Sequence, residues 1–298
     1  VPNLQPLVSV ILPVYNGERF IASAVESILN QTYHNLELIV INDGSEDRTD
    51  SIIQPYLKDS RLNYISRENK GLVATLNEAL EKASGIYIAR MDADDIAMSE
   101  RIALQVEYLL QHPHTGLIGS NITLINELGE IIGQRHLPHG ENKVLSYFLY
   151  GNPIAHPSVM LNRAILKNEL YYDKNAFPAE DLELWLRIIK IAPINNLNKN
   201  LLFYRITNSS ITSNNSIEQK IKDYNLRLDF FSNISQVYSE FVRLIKLKGW
   251  NLIPLFWLII KYNISPNDII IEHLFIKKKN INILLLRTIL NKFRKKIR

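Results

Sequence analysis

Cysteine is absent from the 298-residue chain, which excludes a thiol nucleophile, a cysteine-ligated zinc and a disulfide framework, and is compatible with a reducing compartment. No uninterrupted apolar run reaches about 18 residues, so no membrane-spanning helix is predicted. The first residues, Val1-Pro2-Asn3-Leu4-Gln5-Pro6, lack a basic stretch leading into an apolar one, and no secretory signal is read there. The first 95 residues contain neither G-x-G-x-x-G nor G-x-x-x-x-G-K-[ST], so dinucleotide-binding and P-loop chemistry lose their main support. The seven histidines show no H-E-x-x-H spacing, which removes the signature of a zinc hydrolase. No internal repeat is present. The remainder has globular composition, with 46% hydrophobic and 21% charged residues. A chain of this length buries roughly 70–75% of its unfolded surface and needs neither disulfide nor structural metal to hold a core.

The net charge of +4 hides an asymmetry. Residues 240–298 carry 13 Lys/Arg against 3 Asp/Glu, which leaves 21 against 27 for residues 1–239. The segment from Trp250 to Ile260 is apolar but too short to cross a bilayer, and it is read as a core helix or an interfacial one. Lys277-Lys278-Lys279 and Lys292-Phe293-Arg294-Lys295-Lys296-Ile297-Arg298 interleave cations with apolar residues. That mixture suits an anionic lipid surface better than nucleic acid, and a solvated helix with a basic face is the plainer account.

Residues 7–13 are rich in β-branched side chains, as in a strand buried on both faces. A helical pattern over 19–30 and a second apolar strand at 36–41 complete a βαβ unit. The alternation continues with a helix at 47–58, a strand at 61–65, a helix at 71–83, a strand at 86–91 and a helix at 99–111. This predicts an α/β fold with a mostly parallel sheet covered by helices, and ligands bind such sheets beyond the carboxyl ends of the strands. Two strands around the Asn126-Glu127-Leu128-Gly129 turn follow, then a mixed second half with a helix at 141–149, a strand near 158–161, a helix at 181–191 and a strand at 201–206. Beyond about residue 217 the pattern is helical.

The predicted strand ends carry three polar clusters: Pro13-Val14-Tyr15-Asn16, Asn42-Asp43-Gly44-Ser45 and Met91-Asp92-Ala93-Asp94-Asp95. Two carboxylates one residue apart at a strand end can hold one hard divalent cation, which keeps open positions for phosphate oxygens. A loop in which an aspartate caps the helix beginning near Ser99 would also produce that string. Asp43, followed by Gly44-Ser45, reads first as an ordinary turn and helix cap, and the functional alternative is a carboxylate acceptor for an N–H of a base. Glu180 and Asp181 open a helix, where carboxylates are stabilised by the dipole, and the functional reading is a general base.

The order of these pieces resembles the family 2 inverting glycosyltransferases. Val8–Leu12 with Pro13-Val14-Tyr15-Asn16, Asn42-Asp43-Gly44-Ser45, Asn69-Lys70-Gly71, Asp92-Ala93-Asp94-Asp95 and Glu180-Asp181 fall in register over residues 7–206. The resemblance implies a Rossmann-like GT-A fold, a UDP-sugar donor and Mn²⁺ or Mg²⁺. By matched position, Pro13, Tyr15 and Asp43 hold the uracil, with Asn16, Asn69 and Gly71 in the same nucleotide site. Asp92 contacts ribose or metal, Asp94 ligates the metal, and Asp181 is the base. Asp95 either joins them or binds Arg101 across the first turn of the next helix.

His156, in a loop between Pro153 and Pro157, is read as a structural hydrogen-bonder or as a group meeting diphosphate or acceptor. Arg205, with Asn208-Ser209-Ser210, corresponds to the segment that closes over the diphosphate in relatives, or to an exposed polar loop. Lys70 meets a phosphate or is a surface charge, and Trp185 and Leu186 belong to the core. The chain has Ala97-Met98-Ser99-Glu100-Arg101 where many relatives place a proline, and it lacks the Q-x-x-R-W of processive synthases, which favours addition of a single sugar.

The implied organisation is a GT-A domain over 1–216, with a nucleotide half of about 1–97 and an acceptor half of about 98–216, then a helical basic extension over 217–298. The implied activity is inverting transfer of one hexose or N-acetylhexosamine to a lipid-linked, lipopolysaccharide or capsule saccharide. The implied location is peripheral, on the cytoplasmic face of the inner membrane. Two competing classes are a catalytically silent scaffold that keeps the fold, and a nucleotidyltransferase, which lacks a glycine-rich phosphate loop here.

Overall fold

A computed structural model of the protein describes residues 5–148, 151–207 and 216–232. The first strand, β1 (Val8–Val14), is buried at every position. Its alternate side chains enter opposite cores: Val8, Val10, Leu12 and Val14 go to one face, and Ile11 to the other. The helix α1 (Ile21–Leu29) covers the first face with Ile21, Ala24, Val25 and Ile28, an i, i+3, i+4, i+7 stripe. The strand β2 (Leu36–Asp43) pairs in parallel with β1, Val8 opposite Leu36 through Val14 opposite Asn42.

The helix predicted at 47–58 divides into α2 (Thr49–Ile53) and a 3-10 segment, Gln54–Lys58. Pro55 within it has no N–H to give to an α-helical ladder. Then come β3 (Leu62–Arg67), α3 (Leu72–Lys82), β4 (Tyr87–Arg90), a two-residue strand β5 (Ile96–Ala97) and α4 (Arg101–Gln111). The second half contains β6 (Leu117–Ile125), β7 (Ile131–Arg135), α5 (Glu141–Tyr147), β8 (Met160–Asn162), α6 (Arg163–Leu166), α7 (Glu180–Ile188) and β9 (Ile194–Arg205). A helix α8 (Ser216–Ser232) follows.

The nine strands among the described residues form one sheet in the order β3-β2-β1-β4-β8-β6-β9-β5, with β7 added to β6. The β3-β2-β1-β4 portion is parallel. The sheet turns mixed where β8 runs antiparallel to β4 and to β6. The strand expected at 201–206 starts instead at Ile194, because Leu117–Ile125 offers a parallel partner along its whole length. Pairing there overrides the low strand preference of Asn195-Asn196-Leu197-Asn198-Lys199-Asn200. The consequence for function is that β1, β2 and β4 end side by side, and β5 and β9 bring a second set of polar residues to the same edge.

Candidate active site

The ends of β1 and β2 are tied by side chains. Asn16 takes φ +50°, a conformation that asparagine tolerates. Its backbone N–H donates to Ser45 Oγ at 2.9 Å, and its Oδ1 accepts from the Glu46 N–H at 2.9 Å. Tyr15 beside it is 52% exposed and stands free to stack on a ligand.

Asp43 is buried at the end of β2, and its carboxylate accepts from the Arg67 guanidinium, from the Lys70 N–H at 2.8 Å and from the Gly71 N–H at 3.0 Å. Gly44 follows at φ +76°, and a Cβ there would lie 2.6 Å from the Asn69 nitrogen. Only glycine lets the two loops approach this closely. Asn69 Oδ1 accepts from the Gly71 N–H at 3.1 Å. Lys70 contributes its backbone here, while its side chain is exposed and does not line the cleft described below.

The acidic string at the end of β4 folds so that Asp92, Asp94 and Asp95 each place a carboxylate oxygen within 4.8 Å of the others. Arg90, 2% exposed, grips Asp92 through its two terminal guanidinium nitrogens at 2.5 and 2.7 Å. Asp95 Oδ1 accepts from the Arg205 N–H at 2.8 Å, and its Oδ2 is buried without a partner. Arg205 Nε donates to the Asp94 carbonyl at 2.8 Å, and its guanidinium lies 4.3 Å from the Phe20 ring centroid. Burial first, then the charge of Asp92, raises the Asp94 carboxyl to about 6. Burial and the same neighbours lift Asp95 well above the usual carboxylate range. Crowded carboxylates with a spare buried oxygen lose this penalty when a cation lies among them, and three hard oxygen donors fit a hard divalent ion.

Arg101 does not pair with Asp95: it is fully buried and donates to the carbonyls of Arg90 at 2.7 Å and Val159 at 3.2 Å. The helix start carries its side chain beneath the sheet, where the ends of β4 and β8 expose main-chain acceptors. Burial lowers the guanidinium to about 9, Asp95 opposing and Arg90 assisting.

The facing wall comes from α7 and the loop before β8. Asp181 Oδ2 accepts from Asn152 Nδ2 at 2.7 Å and its Oδ1 from the Leu182 N–H at 2.7 Å. Burial raises its pKa above the ordinary value, and those two hydrogen bonds oppose the shift. Glu180 is pushed up to about 7 by burial and by the charge of Asp181. His156 Nε2 lies 2.9 Å from the Tyr172 hydroxyl, and the ring meets the edge of Trp185 at 5.6 Å. Burial, then the charge of Arg90, drops its pKa well below the usual histidine value, so the imidazole is neutral. Trp185 and Leu186 are core residues, as expected.

One cleft of about 630 Å³ is lined by Pro13, Tyr15, Asn16, Asp43, Asn69, Gly71, Asp92, Asp94, His156, Asp181 and Arg205. All eleven were singled out from the sequence for donor, metal or base; Lys70 and Asp95, also considered there, are not among the lining residues. The same cleft is lined by Glu180, which the sequence reading paired with Asp181 at the start of a helix, and by Arg90, Asn152, Gln219 and Asp223, which it did not select. Arg90 had a visible signal, a cation closing an otherwise apolar strand. Gln219 and Asp223 had none. Asn208-Ser209-Ser210 and the basic segment 240–298 lie outside the described residues.

Residues 9–168 match the family model described as glycosyl transferase family 2. The chain belongs to that family. Two relatives from Escherichia coli extend over most of both partners. The O-antigen biosynthesis glycosyltransferase WbnJ is 34% identical over 76% of this chain and 89% of its own. UDP-Glc:alpha-D-GlcNAc-diphosphoundecaprenol beta-1,3-glucosyltransferase WfgD is 33% identical over 78% and 90%. Among solved structures, the mannosyltransferase PcManGT of Pyrobaculum calidifontis, in complex with GDP-Man and Mn²⁺, aligns with TM-score 0.60 and 18% identity over 76% of this chain and 66% of its own. At that identity the likeness establishes the fold, and this glycosyltransferase has the GT-A arrangement, a curled sheet flanked by helices with the cleft at its strand ends.

Proposed function

We propose that this family 2 member is an inverting, divalent-metal-dependent transferase that moves one hexose or N-acetylhexosamine from a UDP-sugar to a hydroxyl of a lipid-linked or lipopolysaccharide-type saccharide. The observation that carries the reading is the convergence of Asp43, the Asp92–Asp94–Asp95 cluster and Asp181 on one cleft. A volume of about 630 Å³ suits a nucleotide sugar.

In this reading Tyr15 and Pro13 flank the base. Asp43, with three of a carboxylate's roughly four acceptor positions filled by protein donors, offers the last to the uracil imide N–H. Asp94 and Asp92, with the spare oxygen of Asp95, would hold the ion, which when bound supplies positive charge to the leaving diphosphate. Asp181, oriented by Asn152, takes the proton of the acceptor hydroxyl. The acceptor oxygen forms its bond to the anomeric carbon as the bond from that carbon to the diphosphate breaks, and UDP departs with the electron pair. Attack from the opposite face turns an α-linked donor into a β-linked product. Burial of Asp181 strengthens it as a base near neutral pH. The neutral His156, hydrogen-bonded to Tyr172, faces the cleft as a polar contact for diphosphate or acceptor.

The WfgD name, with its UDP-sugar donor, diphosphoundecaprenol-linked acceptor and β-linked product, supports this reading by analogy. No helix among the described residues is long and apolar enough to cross a membrane. The basic segment 240–298 is assigned to an anionic surface on the cytoplasmic face, beside a lipid-linked acceptor. The test is thermal stabilisation by UDP-, GDP- and dTDP-sugars with and without Mn²⁺, followed by product analysis. UDP-sugars should stabilise most, and only with the metal. No stabilisation by any of them, together with unchanged UDP binding in Asp94→Ala, refutes the proposal.

A further inference from the structure

The helix α8 (Ser216–Ser232) is built to reach the cleft. Leu226 and Phe230 pack on the core cluster containing Leu182, Trp185 and Leu186, and Lys190 Nζ lies 5.5 Å from the Phe230 ring centroid. With that stripe turned inward, Gln219 and Asp223, one helical turn apart, line the cleft that Asp181 lines. The ion pair of Asp223 is with Arg227 at 3.7 Å, too long for a hydrogen bond, so its carboxylate keeps acceptor capacity. Burial, and then the charge of Asp181, raises Asp223 to about 6. On the same wall Glu180 is 6% exposed and its Oε2 has no partner.

These acceptors call for donors. A single cation does not fit: among the described residues, only Asp92, Asp94 and Asp95 bring three such ligand atoms within 4.8 Å of one another. Acceptors spread along a wall, with an amide that both donates and accepts, match the spaced hydroxyls of a pyranose ring. We propose that Gln219 and Asp223 form an acceptor subsite, hydrogen-bonding the ring hydroxyls that flank the one presented to Asp181, and so select the acceptor saccharide. The proposal rests on the transferase reading above. It gives α8 a part in recognition beyond covering α7.

The test uses the full chain and a panel of octyl pyranosides (gluco, galacto and N-acetylglucosaminide), with binding followed by ligand-observed NMR in the presence of UDP and Mn²⁺. Asp223→Asn and Gln219→Ala should each weaken the best glycoside about tenfold, the worth of a hydrogen bond to a charged or well-placed partner. In turnover the acceptor KM should rise by a similar factor while the donor KM moves less than about twofold. Thermal melts of both variants report folding, and Gln219→Glu, which keeps an acceptor but no donor, serves as the second substitution. Equal glycoside affinity in wild type and Asp223→Asn, or no glycoside binding to the wild type, overturns the subsite. Failure of the transferase reading is separately visible as absence of UDP-sugar binding in the same samples.

Discussion

Replacing Arg90 by methionine removes a cation while keeping most of the side-chain volume. Arg90 is 2% exposed and holds both oxygens of Asp92, beside the carboxylates of Asp94 and Asp95. Its backbone carbonyl, which accepts from Arg101, is untouched by the substitution. Removing one partner of a fully buried ion pair costs about 3–5 kcal/mol. The Asp92 side chain is 33% exposed, and solvent screens that end, so the expected loss is about 2–3 kcal/mol. For a folded unit of this size that lowers Tm by about 4–12 °C. The assay is urea or thermal unfolding of Arg90→Met, Asp92→Asn and the double variant, without added metal. The double variant should recover most of the loss, because Asp92→Asn discharges the carboxylate that Arg90→Met strands. A loss in Arg90→Met below about 1 kcal/mol, or additive losses in the double variant, refutes the view that Arg90 neutralises the acidic cluster.

Asp181→Asn should leave donor affinity nearly intact and lower transfer by at least about 10²-fold, as expected when a general base is lost; wild-type-like turnover removes Asp181 from the mechanism. Burial and the charge of Asp181 push the Glu180 carboxyl up to about 7 in the folded protein, against an ordinary 4.5. Between those values the folded state holds a proton that the unfolded chain releases, so stability falls as pH rises through that window. Glu180→Gln should therefore gain stability relative to wild type between about pH 4.5 and about pH 8, and a pH-independent difference in Tm contradicts the burial argument. Gly44→Ala meets both φ +76° and the Asn69 nitrogen at 2.6 Å. It should cost about 1–2 kcal/mol of stability and weaken UDP binding by displacing the Asn69–Gly71 loop; an unaltered UDP Kd disproves that coupling. Removing residues 240–298 should abolish sedimentation with anionic vesicles, and unchanged sedimentation rules out the membrane role.

Local pattern was enough for much of this protein. The β-branched runs at 7–13 and 36–41 and the i, i+3, i+4 stripe of α1 identify their elements, because the periodicities of strand and helix are written in neighbouring residues. The polar strand ends and Asp92-Ala93-Asp94-Asp95 announce the candidate site for the same reason, and their order along the chain gives the family. What the sequence could not yield are facts about distant partners. The early start of β9 depends on β6, the Asp95 acceptor is met by the N–H of Arg205 rather than by nearby Arg101, and Asn152 orients Asp181. The seating of Gln219 and Asp223 beside Asp181 depends on Leu226 and Phe230 packing against α7. Spacing along the chain carries no information on these meetings. They are fixed only when burial of both sheet faces sets the register between strands and leaves each polar group to find the nearest remaining donor or acceptor.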